Sequence, residues 1–292
     1  MKFQINASKI FFLLIVFSFF GCKERLFDNP NQSLPTEPSS VVTTPGNTTD
    51  EATIVKWYND TTAVTLPVSN GQKLNTAYKR GNTTATIVIL GSSTAAGNGA
   101  STSSKAWVEL MKAKLKKDNK TVYVVNMGVP GADIYNIMPT GTKVANRPAP
   151  DLKKNINKAL AYKPFLVIIN MPTNDVEKNY TDEEILKNYG ILKDKLVAAN
   201  VEYLFTGTQP RNFTVVSKRN RLPVLNEKLV ATDPAHAVDV FKKLSAENFT
   251  IKKYFAYSDG KHPNDRGHAV INGFLFNNPL FMQLMGYNAV AP

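Results

Sequence analysis

Five short apolar runs, each continuously hydrophobic, are separated along this chain by segments of helical periodicity. The runs are Thr86–Leu90, Val122–Asn126, Phe165–Asn170, Tyr203–Thr206 and Ala237–Phe241. A strand with one wetted face alternates apolar and polar residues, whereas a strand covered on both faces does not. Helical patterns lie between the runs, over Ser104–Lys117, Asp151–Tyr162, Asp182–Ala199, Asn220–Thr232 and Asp265–Met285. Thr181 and Glu184 have the spacing of a capping box at the start of the third. Strands alternating with helices imply an α/β fold, a mostly parallel five-stranded sheet with helices on both faces. No internal repeat is evident.

The residues before this pattern have another character. Lys2 and Lys9 flank the start of an apolar stretch over residues 10–20, which ends at Gly21-Cys22. That stretch is shorter than the ~20 residues a spanning helix needs. Residues 1–21 therefore read as a bacterial lipoprotein signal peptide, with Cys22 as the lipid attachment site. An ordinary secretory signal or an uncleaved anchor is the alternative. Phe19 and Phe20 replace the Leu-Ala that usually precedes Gly-Cys. Cys22 is the single cysteine, so no disulfide is expected, and stability must come from a hydrophobic core. Residues 22–50, rich in Pro, Ser, Thr and Asn, read as a disordered tether. Residues 51–84 read as a short N-terminal β extension, and 85–292 as the main folded domain. The expected location is that of an exported bacterial lipoprotein, held to a membrane (outer membrane, periplasmic face or cell surface).

The net charge is +12, and +10 once residues 1–21, with Lys2 and Lys9, are removed. A basic surface invites nucleic acid, anionic lipid or acidic glycan. The lysines are scattered, as in Lys112, Lys114, Lys116 and Lys117 of one helical segment, and no nucleic-acid-binding motif accompanies them. They read as a solvated face, and no nucleic acid partner is expected. No His/Cys/Asp/Glu cluster has metal-ligand spacing, so no metal is expected.

In a parallel sheet the carboxyl ends of the strands gather at one edge, where ligands bind. The first run empties into Gly91-Ser92-Ser93, the second into Asn126-Met127-Gly128-Val129-Pro130-Gly131, and the third into Asn170-Met171-Pro172-Thr173-Asn174-Asp175. A late loop brings Asp259-Gly260-Lys261-His262-Pro263. Acyl transfer needs a nucleophile, a base and donors for the developing oxyanion. Ser93 is the candidate nucleophile, His262 the base and Asp259 its orienting carboxylate. The backbone amides of Ser93 and Gly131 and the side-chain amide of Asn174 are candidate oxyanion donors. Arg211 is either a substrate contact or a solvated loop charge. His236 and His268 read as packing or surface residues, and Asp133 as a helix N-cap.

These four blocks, in this order, resemble the SGNH (GDSL-type) hydrolase superfamily over about residues 86–276. Its motifs Gly-Asp-Ser-x-x-x-Gly, Asn-x-Gly-x-x-Gly, Gly-x-Asn-Asp and Asp-x-x-His-Pro fall on Ser93, Gly131, Asn174 and Asp259/His262. Two positions depart from it: Ser92 stands where the family has Asp, and Pro172 where it has Gly. The resemblance implies a flavodoxin-like three-layer α/β/α sandwich and a serine esterase working without a cofactor. For an exported lipoprotein it implies an ester substrate, foremost an acylated glycan that is deacetylated at the cell surface. A lipid esterase or lysophospholipase, or an acyltransferase of the same fold, is the alternative. A non-catalytic surface glycan-binding protein that keeps the fold is the alternative from another class.

Overall fold

The computed structural model describes residues 85–171 and 173–287. The expected signal peptide, Cys22, the tether, the 51–84 extension and Pro172 lie outside the described residues.

Strands β1 (Ala85–Gly91), β2 (Val122–Asn126), β3 (Leu166–Asn170), β4 (Glu202–Thr206) and β5 (Ala237–Val238) form one sheet. Its order is β2-β1-β3-β4-β5, and every pairing is parallel. The register aligns the strand ends. Gly91 pairs with Asn170, and Ile89 with Asn126. The three loops that follow therefore leave from one edge. The order reverses direction between β1 and β3, the switch point at which open α/β sheets form a crevice.

Alternate strand residues serve two cores. Val88, Leu90, Val167, Ile169, Tyr203 and Phe205 face one layer, while Ile87, Ile89, Leu166, Ile168 and Leu204 face the other. Both sets are buried, which is why the runs are continuously apolar.

In chain order the helices are α1 (Ser93–Ala96), α2 (Trp107–Lys117), α3 (Ile134–Ile137), α4 (Ile156–Ala161) and α5 (Thr173–Glu177). There follow α6 (Asp182–Ala198), α7 (Val216–Thr232), α8 (Phe241–Leu244), α9 (Asp265–Phe276) and α10 (Pro279–Leu284). Leu192 and Leu196 of α6 and Leu222, Leu225 and Leu229 of α7 cover the first face. Trp107, Met111 and Leu115 of α2, with Ile271 and Leu275 of α9, cover the second. Each large side chain so buried contributes roughly 1.5–3 kcal/mol. The result is a three-layer α/β/α sandwich.

The helix expected over Asn220–Thr232 begins four residues earlier, at Val216, and four other expected boundaries shift, each for a local reason. The last strand was expected over Ala237–Phe241 but stops at Val238. Asp239 Oδ1 accepts from the Phe241 N–H (3.0 Å) and turns the chain into α8. The expected Ser104–Lys117 helix is a 3-10 turn, Ser103–Lys105, and then α2, because Ala106 between them is extended. In the Asp151–Tyr162 segment, Asn155 caps α4 by accepting from Lys158 N–H, so the helix starts there. The final segment is two helices. Asn278, held extended before Pro279, ends one and caps the next, accepting from Phe281 N–H at 3.0 Å. The capping box of Thr181 and Glu184 is present.

Candidate active site

Ser93 is the first residue of α1, directly after β1. Gly91 is needed there: a Cβ on it would lie 2.5 Å from Ala95 Cβ and 3.0 Å from the Asn170 carbonyl. Ser92 is extended and its side chain makes no capping bond. The turn is braced from elsewhere. The Ser92 N–H donates to Asn170 O (3.3 Å), and Asn126 Nδ2 donates to Ala95 O (2.7 Å). Gly97, at φ +98°, ends the helix after one turn. As the first residues of the helix, Ser93 and Thr94 have N–H groups without an intrahelical acceptor.

The loop carrying Asp259 and His262 is a tight turn. Tyr257 N–H donates to His262 O (2.9 Å), Gly260 N–H to Tyr257 O (3.0 Å), and Gly260 takes φ +63°. Asp259 Oδ1 accepts from the Lys261 and His262 N–H groups at 2.8 and 3.0 Å. Its Oδ2 lies 2.6 Å from His262 Nδ1, and His262 Nε2 lies 2.8 Å from Ser93 Oγ. Burial opposes the charge on Asp259. The hydrogen bonds from Lys261 N–H, the His262 ring and His262 N–H outweigh it and hold the carboxyl below its ordinary pKa. An ionised carboxylate can only accept, so Nδ1 carries the imidazole proton. Nε2 is left to accept from the serine hydroxyl.

Asn174 lies on α5, past the end of β3. Its Nδ2 donates to Ala132 O (2.9 Å) and its Oδ1 accepts from Arg211 Nη1 (3.1 Å). Gly131 takes φ +79° with open space where a Cβ would project. A small cavity of about 20 Å³ is lined by Ser93, Asn174, His262, Thr173, Gln209 and Arg211. Gly131 does not line it. It borders a second cavity of about 320 Å³, lined also by Gly91, Val129, Asn136, Asp151 and Lys154. Ser93, His262 and Asn174 are thus gathered around one space, Asp259 stands behind His262, and Gly131 lines the second cavity.

Arg211 is neither a solvated charge nor free. It is buried, donates to Glu177 Oε1 (2.6 Å) as well as to Asn174, and stacks over Phe213. Asp133 caps α3, as expected, with Asn136 completing a capping box. It also bonds Lys178 Nζ (2.5 Å) and the Tyr180 hydroxyl (3.0 Å). His236 and His268 are both buried. His268 matters to the site indirectly. It accepts from Trp107 N–H and bonds Asn98 O (3.0 Å), fixing the loop after α1 against which the His262 turn packs.

Gln209, Thr173, Gly99 and His268 were not foreseen as site residues. Each acts through a partner far away in sequence, as in Thr173 Oγ1 to Gln209 O and Gln209 Nε2 to Lys261 O. No local pattern announces such pairs. Among the described residues no group of three or more His, Cys, Asp or Glu side chains is arranged to hold a metal ion.

The model of the GDSL-like lipase/acylhydrolase family matches residues 89–270. No curated protein sequence matches. Among solved structures, the fold is similar to a psychrotrophic esterase, EstA, from Pseudoalteromonas sp. (19% identity, 66% of this chain and 95% of that one, TM-score 0.50). It is similar to TesA (20% identity, 68% and 99%, TM-score 0.52). It is also similar to an acetyl xylan esterase, AlAXEase (17% identity, 65% and 98%, TM-score 0.51).

Proposed function

The chain belongs to the GDSL-like lipase/acylhydrolase family and is a carboxylic ester hydrolase; from that premise we propose that Ser93, His262 and Asp259 form its catalytic triad and that it removes acetyl groups from polysaccharides. The observation that carries this reading is the unbroken line from Asp259 Oδ2 through His262 to Ser93 Oγ, with links of 2.6 and 2.8 Å.

In this reading Ser93 Oγ attacks the ester carbonyl while its proton passes to His262 Nε2. Asp259 keeps the ring in the tautomer that can accept and stabilises the imidazolium. The tetrahedral oxyanion takes hydrogen bonds from the Ser93 and Gly131 N–H groups and from Asn174 Nδ2. As the intermediate collapses, His262 returns the proton to the departing alcohol oxygen. Water, deprotonated by His262, then attacks the acyl-serine, releasing the acid and restoring Ser93.

The side chains around Ser93 support a short acyl group: Thr173, Asn174, Gln209, Arg211 and His262 are polar and offer little apolar surface to an extended hydrocarbon chain. The second cavity mixes apolar walls with Asn136, Asp151 and Lys154, a lining suited to a sugar ring with apolar faces and hydroxyl edges. The acetyl xylan esterase among the fold neighbours makes acetylated xylan the first substrate to assay. The proposal includes export, lipid attachment at Cys22 and a tether over residues 22–50, supported by sequence pattern alone.

A fluorophosphonate probe tests the triad: it should label Ser93 and nothing in Ser93→Ala. The same variant should keep its circular dichroism spectrum and lose cleavage of a small aryl acetate. Retained cleavage overturns the triad. A preference for acyl chains above about eight carbons, each buried methylene adding ~0.8 kcal/mol, overturns the acetyl reading and favours a lipid ester. Absent labelling with intact glycan binding favours a binding module. Loss of palmitate labelling in Cys22→Ala tests the anchor.

A further inference from the structure

We infer that Arg211 is a positioning residue that locks the Asn174 carboxamide with its nitrogen toward Ser93; this rests on the reading of Asn174 as an oxyanion donor. The two ends of a carboxamide have nearly the same shape, so only its partners decide which way it faces. Asn174 has one partner of each kind. The Arg211 guanidinium, which can only donate, lies 3.1 Å from Oδ1. The Ala132 carbonyl, which can only accept, lies 2.9 Å from Nδ2. A flipped amide would set NH₂ against the guanidinium and oxygen against a carbonyl oxygen, losing both bonds and opposing like poles at each end. With Ala132 holding one Nδ2 hydrogen, the second is left for the cavity that Ser93, Asn174 and Arg211 line together.

Arg211 is itself held in place. Its Nη2 donates to Glu177 Oε1 at 2.6 Å, and its guanidinium lies 4.7 Å from the centre of the Phe213 ring. Asn174 and Glu177 are three residues apart on α5, so a single guanidinium grips one face of that helix twice. The planar fork makes this possible, and a lysine ammonium cannot reproduce it. The buried cation has a second effect. By drawing electron density toward Oδ1 it makes the remaining N–H a stronger donor to a developing oxyanion. Arg211 acts through Asn174 and need not touch the substrate.

A double-mutant cycle on the full chain, read as kcat and KM for p-nitrophenyl acetate, tests this. Asn174→Ala should lower kcat by about 10²–10³. Arg211→Met should lower kcat at least ~10-fold with KM nearly unchanged, yet cost less than about 2-fold further in the Asn174→Ala background. Arg211→Lys, which keeps one donor, should recover part of the loss. If Arg211→Met fails to fold, Arg211→Lys and Glu177→Gln carry the same cycle, each again silent once Asn174 is Ala. An equal fold-loss in both backgrounds, or full kcat in the Arg211 variants while Asn174→Ala is impaired, overturns this inference alone. Full kcat in Asn174→Ala overturns the role of Asn174 and the inference with it.

Discussion

Gly99 lies directly against His262. A Cβ on Gly99 would sit 2.8 Å from the His262 Cβ and 2.2 Å from the Pro263 carbonyl oxygen, and Gly99 already has φ +93°. The loop that follows the candidate nucleophile is therefore also the back wall of the candidate base. His268 pins that loop through Asn98 O, and Asp265 pins its far end by accepting from Ser101 N–H and Oγ, both at 2.7 Å. Gly99→Ala should push the His262 turn away from Ser93. A displacement near 1 Å costs on the order of 10²-fold in rate, and the strained backbone costs roughly 1–3 kcal/mol of stability. Aryl acetate kinetics alongside thermal unfolding measure both, and unchanged kcat would show that the contact does not set the position of His262.

Asp259→Asn separates orientation from loop structure. The amide oxygen can still accept from the Lys261 and His262 N–H groups, so the turn should persist. Its NH₂ would donate to His262 Nδ1, leaving the imidazole proton on Nε2, where it opposes the serine hydroxyl. The expected loss in kcat is about 10³–10⁴ with the fold intact. A loss below about 10-fold, measured under the same conditions, is inconsistent with the triad proposed here.

The sequence carried the architecture because β1, β3 and β4 are covered on both faces and so cannot alternate. It carried three of the four candidate-site blocks because each follows a strand end, and parallel pairing brings Gly91, Asn126 and Asn170 to one edge; the fourth, Asp259 to Pro263, was legible only from its motif. What it did not carry is pairwise. Arg211 reads as either a substrate contact or a loop charge until Asn174 and Glu177 are seen beside it. Nothing in the sequence singles out Gly99, and only the Pro263 carbonyl beside its Cβ position shows why the residue there is glycine. The end of β5 was misjudged because Val240 and Phe241 continue the apolar pattern, while Asp239 bends the chain through a side-chain bond that periodicity cannot register.

The two histidines outside the site should make stability depend on pH in opposite directions. Burial alone would depress His236, but hydrogen bonds and charge from Asp233 and Glu202 outweigh it and raise its pKa to about 9. The unfolded value is near 6.5. Its contribution is therefore complete below about pH 6.5 and lost as pH rises through 9. Burial pushes His268 down to about 4, so the folded protein excludes a proton that the unfolded chain binds below about 6.5, and stability falls as pH drops from 6.5 toward 4. In urea unfolding, His236→Gln should be more damaging at pH 6 than at pH 10, by roughly 1–3 kcal/mol. His268→Gln should be more damaging at pH 7 than at pH 4. Penalties independent of pH would mean that both rings act by packing alone.

Asp175 follows Asn174 and is entirely buried. Its Oδ1 accepts from Ile134 N–H at 3.0 Å, while Oδ2 has no partner among the described residues. Burial first, and the nearby Asp133 carboxylate as well, push its pKa up to about 8, against the pull of the Ile134 N–H. The folded protein then keeps a proton that the unfolded chain releases near pH 4. Stability should fall as pH rises from about 4 to 8 and level off above that. Asp175→Asn keeps an oxygen for Ile134 and cannot ionise. Its stability relative to the parent should increase across that window, by on the order of 2–4 kcal/mol. The parent should also lose kcat above pH 8, where a negative charge forms one residue from the candidate oxyanion donor Asn174, and the Asn variant should not. Urea midpoints and kcat at pH 5 and pH 9 read both effects. A stability difference that stays constant with pH would show that Asp175 is already ionised in the folded protein at pH 5.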